Sequence, residues 1–255
     1  MTKSEIAALL RFDLREAFDS PGWVIYPWLY FGFQFLIYGT IMSRLVVSLD
    51  NYFYYYGTGL LILISFNVAT WNGRRFVESA HEGRLRYILS LPIRRDELFL
   101  EQVLLGVTVS LAHVLPPLVL VLYLSGLYTP ATLISSVVVL TFITIGIIGL
   151  MISLSFVAFK SFDIYSAIVA ALSALLIRFS TMNYPLSSMP GVISGVSLAN
   201  PVTYGADLFR NAIGLDTSLL INPEVSIAVV IALCIATMFG GMFLISRVVE
   251  GVKSS

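Results

Sequence analysis

The chain has 255 residues, of which 58% are hydrophobic and 12% charged, about half the roughly 25% charged content of a soluble domain. A soluble globule of this size has too little polar surface to cover such an apolar excess, so a soluble enzyme, a nucleic-acid binder and a disordered chain are excluded and a polytopic membrane protein is indicated. Basic and acidic residues balance at 15 each, so net charge says nothing of partners, and the single Cys234 excludes an intramolecular disulfide.

In chain order, Ile6, Leu9, Leu10, Leu14, Ala17 and Phe18 recur at helical spacing with Lys3, Arg11 and Arg15 between them, and Ser20-Pro21-Gly22 ends the pattern. Segment 1–22 reads as an amphipathic helix lying on the membrane face, serving either as a lipid anchor or as a contact for a cytoplasmic partner. No cleavable signal peptide is expected. Six apolar stretches reach the roughly 20 residues a span requires: Trp23–Ser43, Tyr52–Trp71, Phe99–Leu124, Leu133–Phe159, Ile164–Met182 and Val225–Ile245. Arg178 near the end of the fifth can snorkel to the interface. The fold class is thus an all-α membrane protein with six transmembrane helices, residues 1–255 forming a single transmembrane domain.

With six spans both termini share a side. The segments on that side carry 12 basic residues against 3 on the other, which puts both termini in the cytoplasm of a cell-membrane protein. Tyr52, Phe53, Tyr54, Tyr55 and Tyr56 then form an outer aromatic belt. Gly146, Gly149, Gly240 and Gly241 read as helix-packing positions.

Segment 72–98 is a cytoplasmic loop in which Leu85, Ile88 and Leu89 make an apolar stripe and Pro92 stops the helix before a new one starts at Asp96-Glu97. It is either a basic topology anchor or a short helix able to pass movement into the spans beside it, its stripe seated in a partner's cleft. Segment 183–224 breaks at Pro185, Pro190 and Pro201 into pieces too short to cross a bilayer, with Asn200 as a helix N-cap. It reads as two short external helices dipping into the outer leaflet. Lys3, Lys160 and Lys253 are the only lysines, and each precedes serine but follows Thr2, Phe159 or Val252. No phosphate-cradling glycine loop exists, so the chain is not itself a P-loop ATPase. His113 is the one clear ionisable residue within a span; it reads first as a hydrogen-bonded packing histidine beside Pro116-Pro117, with a proton relay or a substrate ligand as the alternative. No metal site or hydrolytic constellation is expected, so energy comes from elsewhere. An ion-coupled carrier or channel is the alternative, disfavoured by the scarcity of charge within the spans.

Two motifs resemble those of the ABC-2 permease family, the membrane subunit of type-2 ABC exporters. The family's loop pattern is matched at Glu82, Gly83, Leu85, Ile88 or Leu89, Pro92, Arg95, Glu97 and Leu98, with departures at Arg84, Arg86, Ser90 and Leu91. The pattern before the last span is matched at Pro185, Leu186, Ser187, Pro190, Asn200, Pro201, Thr203, Tyr204, Asp207 and Arg210. The resemblance implies an exporter of two membrane subunits, most simply a homodimer, and two separate ATPase subunits that bind ATP and magnesium, with no cofactor on this chain. It implies that the helix around Gly83–Leu91 couples to the ATPase and that the Tyr184–Asn211 region gates the exit. The substrate is not legible.

Overall fold

The computed structural model describes residues 3–45, 51–90, 94–158, 161–215 and 221–253, and all regular structure among them is helical. Helix α1 (Lys3–Phe18) leads into a rod made of α2 (Pro21–Phe33), a π-turn (Gln34–Tyr38) and α3 (Gly39–Leu45). Then come α4 (Tyr52–His81), the short α5 (Arg84–Ser90), α6 (Arg95–Leu124) and α7 (Pro130–Val157). Next, α8 (Phe162–Ser173) runs directly into a π-turn (Ala174–Arg178), followed by a 3₁₀ turn (Leu186–Ser188), α9 (Gly191–Leu198), α10 (Pro201–Ile213) and α11 (Pro223–Lys253).

Five helical segments are long and apolar enough to cross a membrane: Pro21–Leu45, Tyr52–His81, Arg95–Leu124, Pro130–Val157 and Pro223–Arg247. Each overlaps an expected span. The expected fifth span is the exception, because helix 162–178 stops before Met182. Its length of roughly 25 Å falls short of the roughly 30 Å hydrocarbon core. Residue 159, the end of the expected fourth span, lies outside the described residues.

Starts and stops follow local chemistry. The Thr132 N–H donates to the Thr129 hydroxyl at 3.1 Å with Pro130 at the first position of α7. The Ile164 N–H donates to the Ser161 hydroxyl at 3.3 Å at the start of α8. In the interior, α4 is the central rod, packed on α6 and α7, while α7 also packs on α11. The Ser110 hydroxyl donates to Ser65 at 3.0 Å and Thr144 donates to the same oxygen at 3.3 Å, tying α6 and α7 to α4 deep in the bundle. Glycines allow the closest approaches: a Cβ at Gly146 would sit 2.9 Å from Leu233 and one at Gly149 2.8 Å from Thr237, while Gly241 faces Phe99. Gly240, expected to pack likewise, faces open space.

Pro117 has no N–H for the His113 carbonyl one turn before it. The Trp28 indole of α2 supplies the missing donor at 3.0 Å, so the first rod is fastened to α6 where that helix lacks a hydrogen bond. His113 is buried among aromatic rings: Nδ1 lies 2.9 Å from the Val109 carbonyl, the ring stacks on Phe18 at 6.2 Å and meets Trp23 edge-on at 5.8 Å, and the buried Nε2 has no partner among the described residues. Trp28→Phe keeps the ring but leaves the His113 carbonyl unpaired, at a cost of about 1–3 kcal/mol. The expected outcome is a thermal midpoint of the detergent-solubilised protein lowered by about 2–4 °C per kcal/mol. An unchanged midpoint would show that the indole contributes only packing.

Candidate functional site

The two segments singled out by sequence lie at opposite ends of the bundle. At the basic end, α4 closes with the Glu82 N–H on the Glu78 carbonyl at 3.0 Å, and Gly83 turns the chain at φ +81°. That left-handed conformation is free for glycine and strained for other residues. The sharp turn folds α5 back beside α4, and this decides where its apolar side goes. Leu85 and Ile88 are 4% and 8% exposed, buried in the chain's own core, and Phe76 and Leu98 line the same small cavity. The expectation that this stripe is offered to a partner is therefore corrected for both residues. Among the described side chains of α5, Tyr87 is a large one turned outward, 67% exposed, with exposed His81 and Glu82 before it and Ser90 after. The Leu89 side chain and Pro92 lie outside the described residues. Arg95 donates to the Ser246 carbonyl at 2.9 Å, binding the start of α6 to α11, and Glu97 accepts the Arg94 N–H at 3.2 Å as a cap of α6.

A four-membered ion cluster joins α1, α4 and α5. Arg75 reaches Asp13 and Glu16, each at 2.7 Å, and Arg84 reaches Glu16 at 3.0 Å and also Asp13. Asp13 is buried. Burial works against the Arg84 charge, but Asp13 and Glu16 outweigh it and hold the guanidinium above its ordinary value. Arg84 also lies over the Phe12 ring at 5.3 Å. Sequence reasoning took α1 for an amphipathic helix with basic residues and passed over Asp13 and Glu16. Their i, i+3 spacing on the face opposite Arg11 and Arg15 is the signal that they meet positive charge inside.

At the opposite end, Arg210 of α10 is fully buried. Its Nε donates to the Thr58 hydroxyl at 3.0 Å. One terminal nitrogen donates to the Thr181 carbonyl at 2.8 Å and faces Asp207 at 3.5 Å, and the other donates to the carbonyls of Met182 at 2.9 Å and Tyr55 at 3.3 Å. These five acceptors match the five N–H donors of a guanidinium. The cation also sits 3.5 Å over the Tyr55 ring. Burial pushes the Asp207 carboxyl up from its ordinary value, with Arg210 and the Thr181 hydroxyl pulling it back.

Asn200 serves the same stretch from its other side. Its side-chain oxygen caps α10 at the Val202 N–H, 3.0 Å away, while its amide donates to the carbonyls of Leu175, Leu176 and Phe179 at 3.0–3.2 Å. Pro201 takes the first position of α10, where no N–H is needed. The Tyr204 hydroxyl donates to the Leu198 carbonyl at 2.7 Å, joining α10 to α9. Pro185 and Pro190, both extended, bracket the 3₁₀ turn that contains Leu186. Asn200, Asp207 and Arg210 thus converge on residues 175–182, while Pro185, Leu186 and Pro190 only shape the path. Tyr52 and Tyr55, expected as belt residues, donate to the carbonyls of Asn183 at 2.8 Å and Thr181 at 2.6 Å. Among the described residues no cluster of His, Cys, Asp and Glu could hold a metal ion.

Five membrane-length helices with an ion-paired helix at one end and a helical cap at the other define a polytopic membrane protein. The chain belongs to the ABC-2 type transporter family, whose model matches residues 4–213, and it is the membrane domain of an ABC transporter, a permease. Among curated proteins none matches it.

Arg210→Leu removes the cation that faces Asp207 and all five guanidinium hydrogen bonds from a buried site, leaving Asp207 with the Thr181 hydroxyl at 2.9 Å and the Thr181 carbonyl with the Tyr55 hydroxyl. The expected loss is about 3–5 kcal/mol, read as a large fall in thermal midpoint or in the yield of monodisperse protein. Arg210→Lys keeps the charge but supplies three donors for five acceptors, and its midpoint is expected between those of wild type and Arg210→Leu. If Arg210→Leu melted like wild type, the cage would not be a structural requirement.

Proposed function

We propose that this permease works as an exporter, moving substrate out of the cytoplasm with energy from a separate ATPase subunit. The observation that carries this reading is the family match across 4–213. The chain has no phosphate-binding glycine loop of its own, so ATP and magnesium bind the partner and no cofactor binds here. A second copy completes the transporter, as a homodimer in the cell membrane. The sixth span is formed by helix 162–178 with its extension to Met182. Both termini then face the cytoplasm, which agrees with the 12 to 3 distribution of basic residues.

In this reading the basic end meets the ATPase. Glu82, Gly83, Leu85, Ile88, Leu89, Pro92, Arg95 and Glu97 form the coupling segment, but with divided labour. Leu85 and Ile88 hold α5 to the bundle, the Arg95 and Glu97 contacts fix the start of α6, and Tyr87 with its exposed neighbours touches the partner. The external gate comprises Pro185, Leu186, Pro190, Asn200, Pro201, Tyr204, Asp207 and Arg210. It opens only if the carbonyls held by Asn200 and Arg210 find other donors.

Two measurements test this reading. Tyr87→Ala is expected to reduce ATPase recovery on copurification about tenfold or more, the order of a lost interfacial aromatic anchor, and to reduce transport with it, while the thermal midpoint stays unchanged. Leu85→Ala is expected to lower the midpoint itself, by about 2–5 kcal/mol of stability. Normal ATPase recovery and normal transport in Tyr87→Ala would remove α5 from the coupling role. For topology, in a Cys234→Ala background, Ser187→Cys is expected to react with an impermeant thiol reagent in intact cells and Ser254→Cys is not. The opposite pattern would reverse the orientation.

A further inference from the structure

A set of side chains that the exporter reading leaves unused forms one connected track along the first rod and α4. Tyr26 and Tyr30 stack one turn apart, with ring centres 6.0 Å from each other. One turn further, the Gln34 amide donates to the Tyr30 hydroxyl at 3.3 Å, and its carbonyl oxygen accepts from the Tyr56 hydroxyl of α4 at 3.1 Å. Tyr56 stacks on Tyr52 at 6.2 Å, and Tyr52 meets the Tyr184 ring at 6.5 Å. The rod carries the track for about 12 Å, and α4 passes it on to the end of the bundle where Arg210 lies. Phe31 and Phe35 bury the side of the rod that packs on α4, while Tyr26 and Tyr184 are 62% and 43% exposed.

Tyrosines near the ends of a span are ordinary belt residues, but Gln34 is not. It lies in the middle of the membrane-length rod Pro21–Leu45, where an amide short of partners is costly. It is half-buried and opens the π-turn Gln34–Tyr38, a geometry frequent at functional sites. A side-chain amide has two N–H groups, and Gln34 commits one of them to Tyr30. The O–H groups of Tyr26, Tyr30 and Tyr184 likewise have no acceptor among the described residues.

We propose that this track is a binding surface for the transported molecule, and that the molecule is an uncharged amphiphile with flat rings and carbonyl or ether oxygens. The stacked tyrosines offer ring faces to planar groups. The uncommitted N–H and O–H groups require acceptors where no water supplies them. None of the six side chains carries a charge that would offset one on the ligand. That the bound molecule is the one exported rests on the exporter reading, but the binding surface does not, so the two fail separately.

The test uses benzophenone, an uncharged two-ring ketone that accepts but cannot donate a hydrogen bond and inserts into nearby C–H bonds under ultraviolet light. The full chain is irradiated with it in phosphatidylcholine proteoliposomes without any ATPase, and adducts are located by peptide mass spectrometry. Adducts on residues 26–38 and 52–56 are expected to saturate with concentration. Those on exposed Phe239 and Phe243 of α11 are expected to rise in simple proportion, as for a dye merely dissolved in lipid. Gln34→Leu and Tyr30→Phe are each expected to lower the saturable labelling about two- to tenfold, the range for one neutral hydrogen bond. Unchanged labelling of Phe239 shows that the variants are inserted. Benzoylbenzoate, the same rings with a carboxylate, is expected to give no saturable adducts. Labelling of the track that only rises in proportion, undiminished saturation in both variants, or equal saturation by the carboxylate would each overturn the proposal. So would a track free of adducts in which Tyr26→Cys, in a Cys234→Ala background, joins two chains by a disulfide, because a second copy would then occupy the surface.

Discussion

A guanidinium fully removed from water must find an acceptor for every N–H, and the α10 end of this bundle is built around that demand. Arg210 obtains its acceptors by reaching across to α4 at Tyr55 and Thr58 and by taking the carbonyls of Thr181 and Met182. Those last two carbonyls are free because the chain has left its helix after Arg178. The unwound turn and the buried cation are therefore each other's condition. Without the turn the cation has too few acceptors, and without the cation the Met182 carbonyl loses its donor and the Thr181 carbonyl keeps only the Tyr55 hydroxyl.

The same logic recurs at smaller scale. Asn200 covers three more carbonyls at the end of helix 162–178, and Trp28 covers the one that Pro117 abandons. In each case a side chain from elsewhere in the bundle donates to backbone carbonyls at the place where a helix is broken or ends. A membrane protein cannot delegate this task to solvent, so its irregular places are also its firmest inter-helix ties.

This explains what could be read in advance. The long spans were legible because hydrophobic run length alone determines them. The end of helix 162–178 was not, because the apolar run continues to Met182 while the donors that unwind it lie at Asn200 and Arg210, more than 20 residues on. The motif from Asn200 to Arg210 was visible as a spacing, but no periodicity reveals that its members converge on one stretch of backbone. The stripe of Leu85 and Ile88 was correctly seen as apolar and wrongly directed outward. The reversal at Gly83 that turns it onto Phe76 and Leu98 is a matter of one backbone angle. Asp13 and Glu16 stayed hidden because their partners, Arg75 and Arg84, are some 60 to 70 residues away.

Helix α4 has one further property. It is a single α-helix of 30 residues with no proline and no π-turn, and it touches the Arg75 cluster at one end and the Arg210 cage at the other. Such a rod behaves as a stiff lever. From Arg75 to Tyr55 the arm is roughly 30 Å, so pivoting it by about 5° displaces the far end by about 2.5 Å. Hydrogen bonds to a guanidinium tolerate only a few tenths of an ångström before they weaken steeply. A small rotation imposed at the basic end is thus enough to pull Tyr55 and Thr58 out of register with Arg210, and the leverage needs no bending in between.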